Sequence, residues 1–299
     1  MTGASGYWSY YRDSHPGFVT PSLSAMTGRR CSTSLLVLVL LVVARAALGA
    51  QTMAGAFVPL LARGTAPTTV PTLVVGERLT YEVRFGALRV GSGSMEVRET
   101  ADVRGRPAWH TVFAVKGGIP FFHVDDRLES WIDTSTFASV RFEQHTSEGH
   151  YHKEHRVELF PERGIFVEEG SDAGEEPTVA RPLDEGAFLY FLRGLPLAVG
   201  DSYDFDRYYR PAGNPVALRV LRRERIEVPA GTFETVVLQP TIKTTGIFSQ
   251  NGHAEVWVTD DARHMIVQMK AHLSFGSLNL YLRRYEPGVA APTPSVAAQ

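Results

Sequence analysis

The sequence predicts a mainly β domain built on an antiparallel sheet, with one helix packed against it near residues 184–193. Three observations carry this. Turn signals recur about every 8–12 residues along most of the chain, the rhythm of sandwiches and barrels rather than of βαβ units. The segment from Asn251 to Tyr285 alternates apolar and polar residues through three consecutive strands. A single stretch departs from alternation and adopts the helical period.

Ordered structure is expected from Leu79, Tyr81, Val83 and Phe85, which alternate with Thr80, Glu82 and Arg84. Gly91-Ser92-Gly93 falls inside the next strand, before Met95 and Val97. Glycine within a strand marks a bulge or bend, so this strand should curl. Gly105-Arg106-Pro107 reads as a turn, followed by a strand from Trp109 to Val115. Leu128, Ser130 and Ile132 then alternate with Glu129, Trp131 and Asp133, and strands follow at 140–142, 155–160 and 164–167. From Asp184, residues Phe188, Phe191, Leu192 and Leu195 recur at i, i+3, i+4 and i+7, a helix stripe that Leu189 and Tyr190 widen. Asp184 suits its N-cap, Gly194 its end, and Pro196 stops it. Beyond it come Val216 to Val220, Ile226 to Val228, and a hairpin turn at Pro229-Ala230-Gly231, where proline presets the second position and glycine suits the fourth. The return strand carries Val236, Leu238 and Ile242.

In the C-terminal meander, Ala254, Val256 and Val258 share one parity. Met265, Val267, Met269, Ala271, Leu273 and Phe275 form the next apolar file, and Leu278, Leu280 and Leu282 the last. One face is thus apolar across neighbouring strands and must be covered by another layer, a helix or a ligand.

The N-terminal part has the composition of a leader. Gly28-Arg29-Arg30 precedes the apolar run Leu35 to Val43, and small residues follow to Ala50: a signal peptide over 26–50. The run is about half the ~20 residues that span a bilayer. Residues 1–25 read as a disordered stretch or an upstream mis-start, 51–73 as a linker, 74–286 as a single β domain and 287–299 as a disordered tail. The only cysteine, Cys31, precedes the apolar run instead of following it, which disfavours a lipoprotein. The expected location is periplasmic, with membrane contact only in transit. A mature chain without cysteine has no thiol chemistry and no disulfide. A formal charge of −2 offers no footprint for nucleic acid.

Five segments, "GERLTYEVRFGALRVGSGSMEV", "DDRLESWID", "LDEGAFLYFLRGLPLAVGD", "VPAGTFETVVLQP" and "AEVWVTDDARHMIVQMKAHLSFGSLNLYL", occur in an order that resembles the domain-of-unknown-function 3108 family. The resemblance spans roughly Val74 to Tyr285. It implies an exported bacterial protein on a curved antiparallel sheet, a half-barrel similar to periplasmic lipoprotein carriers. It implies no activity, cofactor or catalytic residue. One departure is the stretch His264-Met265-Ile266, where the family often has proline.

Candidate sites divide into polar clusters and an apolar lining. His150 and His152 are two apart and, with His155, are weak metal candidates; Lys153 and Glu154 make the same stretch suit an exposed hairpin arm. Asp125-Asp126 and Asp260-Asp261 could pair carboxylates, but both stretches also suit turns. Arg193 complements a helix C-terminus, with Asp201 or Asp133 as conceivable partners. Trp131, Phe188, Phe191 and Trp257, with Met265, Val267 and Met269, could line a cavity between a curved sheet and its single helix; Phe121 and Phe122 belong to the same group. No nucleophile elbow, P-loop, His-Glu-x-x-His or dinucleotide fingerprint is present. The expectation is a non-catalytic envelope protein, without cofactor, that binds a lipid-like apolar ligand. The alternatives are a scaffold for an envelope protein partner and, less favoured, an envelope hydrolase.

Overall fold

The computed structural model describes residues 71–119, 122–242, 254–273 and 276–289. The expected leader, most of the linker and most of the tail lie outside these residues. Fourteen strands form one antiparallel sheet in the order β8-β7-β6-β5-β4-β3-β2-β1-β14-β13-β12-β11-β10-β9. The strands are β1 Glu77–Phe85, β2 Leu88–Val103, β3 Arg106–Ile119, β4 Phe122–Asp133, β5 Ser139–Glu148, β6 Tyr151–Phe160, β7 Ile165–Glu168, β8 Glu175–Pro177, β9 Ser202–Phe205, β10 Val216–Val228, β11 Gly231–Thr241, β12 Glu255–Thr259, β13 Ile266–Leu273 and β14 Gly276–Pro287. Every neighbour pair is a sequence-adjacent hairpin or connection except β1–β14, where Tyr81 meets Leu282.

Alternation places each side chain. Leu79, Tyr81 and Val83 of β1 are buried with Met95 of β2 and Ile132 of β4 on the face that carries the main core. Register carries that face rightward through Val83, Leu280, Met269, Val256 and Leu238. The sheet bends at bulges, and its two edges approach each other. The segment after β8 runs beside the segment after β9, where the Leu183 N–H donates to Arg207 O at 2.6 Å and the Tyr209 N–H to Leu183 O at 3.1 Å. The result is barrel-like, with a seam of irregular backbone in place of a strand pair.

Helix α1 (Glu185–Leu192) sits inside this curve, with every residue from Gly186 to Leu192 buried. Eight residues are too few to hold a helix in water, so burial of Phe188, Leu189, Phe191 and Leu192 sustains it. The hairpin turn falls where the sequence places it, with Val228 opposite Gly231. Two differences are informative. The stretches at 216–220 and 226–228 are one strand, because a bulge after Val220 absorbs the break in alternation. Asp125 and Asp126 lie within β4 and not in a turn. Leu73 belongs to the buried core, and Pro71 fills the space beside Gly194, where a Cβ would lie 2.2 Å from its Cγ.

Candidate functional site

α1 is anchored at both ends by buried charge. At its start, Asp184 accepts from the N–H groups of Gly186 and Ala187 at 2.8 and 2.9 Å and from the hydroxyls of Ser130 and Ser139 at 2.6 Å each. The Asp184 N–H in turn donates to Ser139 Oγ. Burial pushes the Asp184 carboxyl up even though four hydrogen bonds favour its charged form. Gly186 fits here because a Cβ would lie 2.5 Å from Ser130 Oγ. At the other end the Arg193 guanidinium lies on Glu77 of β1, not on Asp201 or Asp133. Asp133 instead caps a turn through Ser135 and Thr136, and Asp201 accepts from the Tyr203 hydroxyl.

α1 covers only one end of the concave face. Beyond it the apolar file continues through Phe113 and Val115 of β3 and Leu278 of β14, all half-buried, to Phe85 and Leu88, which are 36% and 61% exposed. Phe85 pairs with both Leu88 and Leu278, so these side chains share one side of the sheet. The backbones of β2 and β3 approach closely at Gly91 and Gly117, where a Cβ on Gly91 would lie 2.2 Å from Lys116 O. A cleft of about 20 Å³ opens among Phe113, Ala254, Met269, Ala271, Leu278 and Leu280. That holds about one water, so a ligand here would lie along an open mouth and not inside an enclosed chamber.

The residues expected to line a cavity are divided by the structure. Phe188, Phe191, Met265, Val267 and Met269 are all at most 5% exposed and packed in the main core. Of these only Met269 borders the cleft. Trp131 lies on the convex face, because its neighbours Ser130 and Ile132 point to the helix side; it stacks on His110 with ring centroids 4.3 Å apart. Trp257 likewise projects away from Val256 and Val258, and its indole N–H donates to Glu224 while Arg222 lies over its ring. Trp131 packs instead on Val103, Ala108 and Val140, whereas Trp257 is 3% exposed and remains part of the main core. Phe121 lies outside the described residues.

The polar candidates disperse. His150 is in the β5–β6 turn, His152 is exposed beside Ser147 Oγ, and His155 points to the opposite, buried face. Among the described residues no three His, Cys, Asp or Glu side chains are grouped as a metal site would need. Asp125 pairs with Lys116 at 2.8 Å, and Asp126 accepts from Ser147 N. Asp260 pairs with Arg223, while Asp261 holds its own turn through Thr259 and Arg263. The buried His155 lies 2.7 Å from Glu168, which also binds Arg210. The sequence places Asp184 at the N-cap, but its pairing with Ser130 and Ser139, and that of His155 with Glu168 and Arg210, come from elsewhere in the chain. The signal was present: Ser130 and His155 are polar residues in otherwise apolar files.

Residues 80–283 match the family described as Protein of unknown function (DUF3108). The chain belongs to the DUF3108 family. No curated protein matches it. Among solved structures it is similar to a beta-barrel-like protein of domain of unknown function DUF1849 from Brucella abortus, at 11% identity over 72% of this chain and 99% of that one, with a TM-score of 0.43. It is also similar to a hypothetical protein from Chlamydia trachomatis, at 8% identity over 75% of this chain and 93% of that one, with a TM-score of 0.33. Likenesses this slight say nothing of what the DUF3108 chain does. No helix among the described residues is long and apolar enough to cross a membrane.

Proposed function

We propose that this DUF3108 protein is an exported, non-catalytic envelope protein that binds a single apolar chain, such as a lipid acyl chain, at the end of its concave face that α1 does not cover. One observation carries the reading: the apolar face of β1, β3 and β14 continues past the end of α1 through half-buried Phe113, Val115 and Leu278 to Leu88, which is 61% exposed among the described residues. Large apolar side chains grouped at the surface mark a contact for something apolar. Export rests on the leader at 26–50.

The test is titration of the purified protein with a fluorescent fatty acid, beside native mass spectrometry of protein prepared without detergent. Leu278→Glu, at the mouth, should weaken binding roughly tenfold or more, since burying a carboxylate against an alkyl chain is strongly unfavourable. Trp131→Ala, on the convex face, should leave it unchanged. Equal binding by wild type and Leu278→Glu, or a clean apo mass with no uptake of probe, would end this reading and favour a scaffold with a protein partner.

A further inference from the structure

The convex face of β1 and β14 holds a groove of about 450 Å³ lined by Arg78, Thr80, Arg283, Arg284 and Glu286. Its composition depends on one irregularity. Thr80 pairs with Arg284 and Tyr81 with Leu282, so Arg283 is the extra residue of a β-bulge. Regular alternation would send Arg283 and Arg284 to opposite faces. The bulge turns both toward the same groove, beside Arg78 from the adjacent strand. Bulges re-aim side chains in this way where function requires it.

The local charge is cationic although the whole chain carries −2. Glu96 lies 3.6 Å from Arg78, and Glu286 lies 2.9 Å from Arg284. Arg98 adds a further cation beside Glu96 at 4.0 Å. Arg283 and Arg284 are both exposed; Arg284 engages Glu286 through its Nε, and Arg283 also acts on the Glu82 carboxylate.

We propose that Arg78, Arg283 and Arg284 form a binding site for a phosphate-bearing anion. Guanidinium forks match phosphate oxygens bidentately, and three of them around one groove can share a single phosphate. Two sources offer that chemistry: the headgroup of an anionic phospholipid and a free phosphoanion. The site lies on the face opposite the apolar mouth, so it stands or falls independently of the proposed function.

The experiment uses the purified protein at low salt with three probes: vesicles containing phosphatidylglycerol, vesicles of phosphatidylcholine alone, and inorganic pyrophosphate. Arg283→Gln with Arg284→Gln should weaken binding roughly tenfold or more. Arg163→Gln with Arg225→Gln, which removes the same charge elsewhere on the surface, should not. Arg78→Gln alone should give a smaller loss, and unchanged melting of each variant excludes unfolding as the cause. Binding of anionic vesicles that pyrophosphate displaces supports the site with a lipid source. Binding of pyrophosphate alone supports it with a free anion. Failure to bind either probe, equal binding to neutral vesicles, or an equal loss in the Arg163/Arg225 variant would overturn it.

Discussion

Arg193 and Glu77 form a two-pronged ion pair in the interior, with Nη1 and Nη2 donating to the two carboxylate oxygens at 3.0 and 2.7 Å. Their side chains are only 12% and 6% exposed. The pair fixes the last turn of α1 to the first residue of β1. His264 reinforces it, with its Nδ1 2.9 Å from the carbonyl of Arg193.

A buried pair is costly to break and cheap to replace. Glu77→Gln or Arg193→Met alone should therefore destabilise the protein by about 3–5 kcal/mol. Glu77→Leu combined with Arg193→Met should recover most of that loss. Urea denaturation of the two single variants and the double variant checks it; additive losses would mean that the two residues act separately.

Asp184 should be the most sensitive position in α1. Asp184→Ala strands two serine hydroxyls and two helix N–H groups in the core, at a cost of about 3 kcal/mol or more. The pH dependence has a definite sign. A carboxyl with a folded pKa above its unfolded value contributes most below the ordinary range, and this contribution is lost as pH rises through the folded value. Asp184→Asn should flatten that decline in urea midpoints measured from acid toward neutral pH, while costing less than alanine.

His155 predicts a slope of the opposite direction. Burial lowers its pKa, outweighing the nearby Glu168, with Lys153 and Arg210 acting in the same sense as burial. The unfolded chain therefore binds this proton first, and stability falls as pH drops below about 6.5 toward the lowered folded value. His155→Gln should remove the decline in that window. A change confined to more acidic pH would instead report Glu168, whose own pKa is lowered below its ordinary carboxylate value.

Gly186→Ala sets two effects in competition. Alanine favours a helix over glycine by up to about 1 kcal/mol, but its Cβ would lie 2.5 Å from Ser130 Oγ. The clash should win, so the variant should melt lower than wild type. Placed in a Ser130→Ala background, the same substitution should cost clearly less, a coupling that thermal melts of the four proteins would measure.

Much of this was legible locally. Asp184 stood before an i, i+3, i+4 stripe and caps it; Pro229-Ala230-Gly231 stood between two alternating runs and turns them. The parity of β1, and of Val256, Met269, Leu280 and Leu282 in the C-terminal strands, gave the buried face, while a bulge in β13 pairs Ile266 and not Val267 with Val258, and Phe275 lies outside the described residues. What escaped was set by pairing across distance. Glu77 looks like a surface residue until Arg193 is brought to it from 116 positions away. Trp131 was grouped with the cavity for its size, yet parity with Ser130 already sent it to the other face, where it stacks on His110. The mouth was missed because Phe85, Leu88, Phe113 and Leu278 come from four strands, and only the register joins them.

The pairing of β1 with β14 has a bearing on how the chain is made. Every other strand meets a partner that lies next to it in sequence, so most of the sheet can zip as hairpins while the chain is still emerging. β1 must wait for the final strand, and until then two half-sheets each carry an open inner edge prone to wrong partners. The first residue of β1, Glu77, and the last of β14, Pro287, lie side by side in mid-sheet. A circular permutant that joins them and opens the chain between β8 and α1 would turn this seam into one more hairpin, and should fold faster than the natural order.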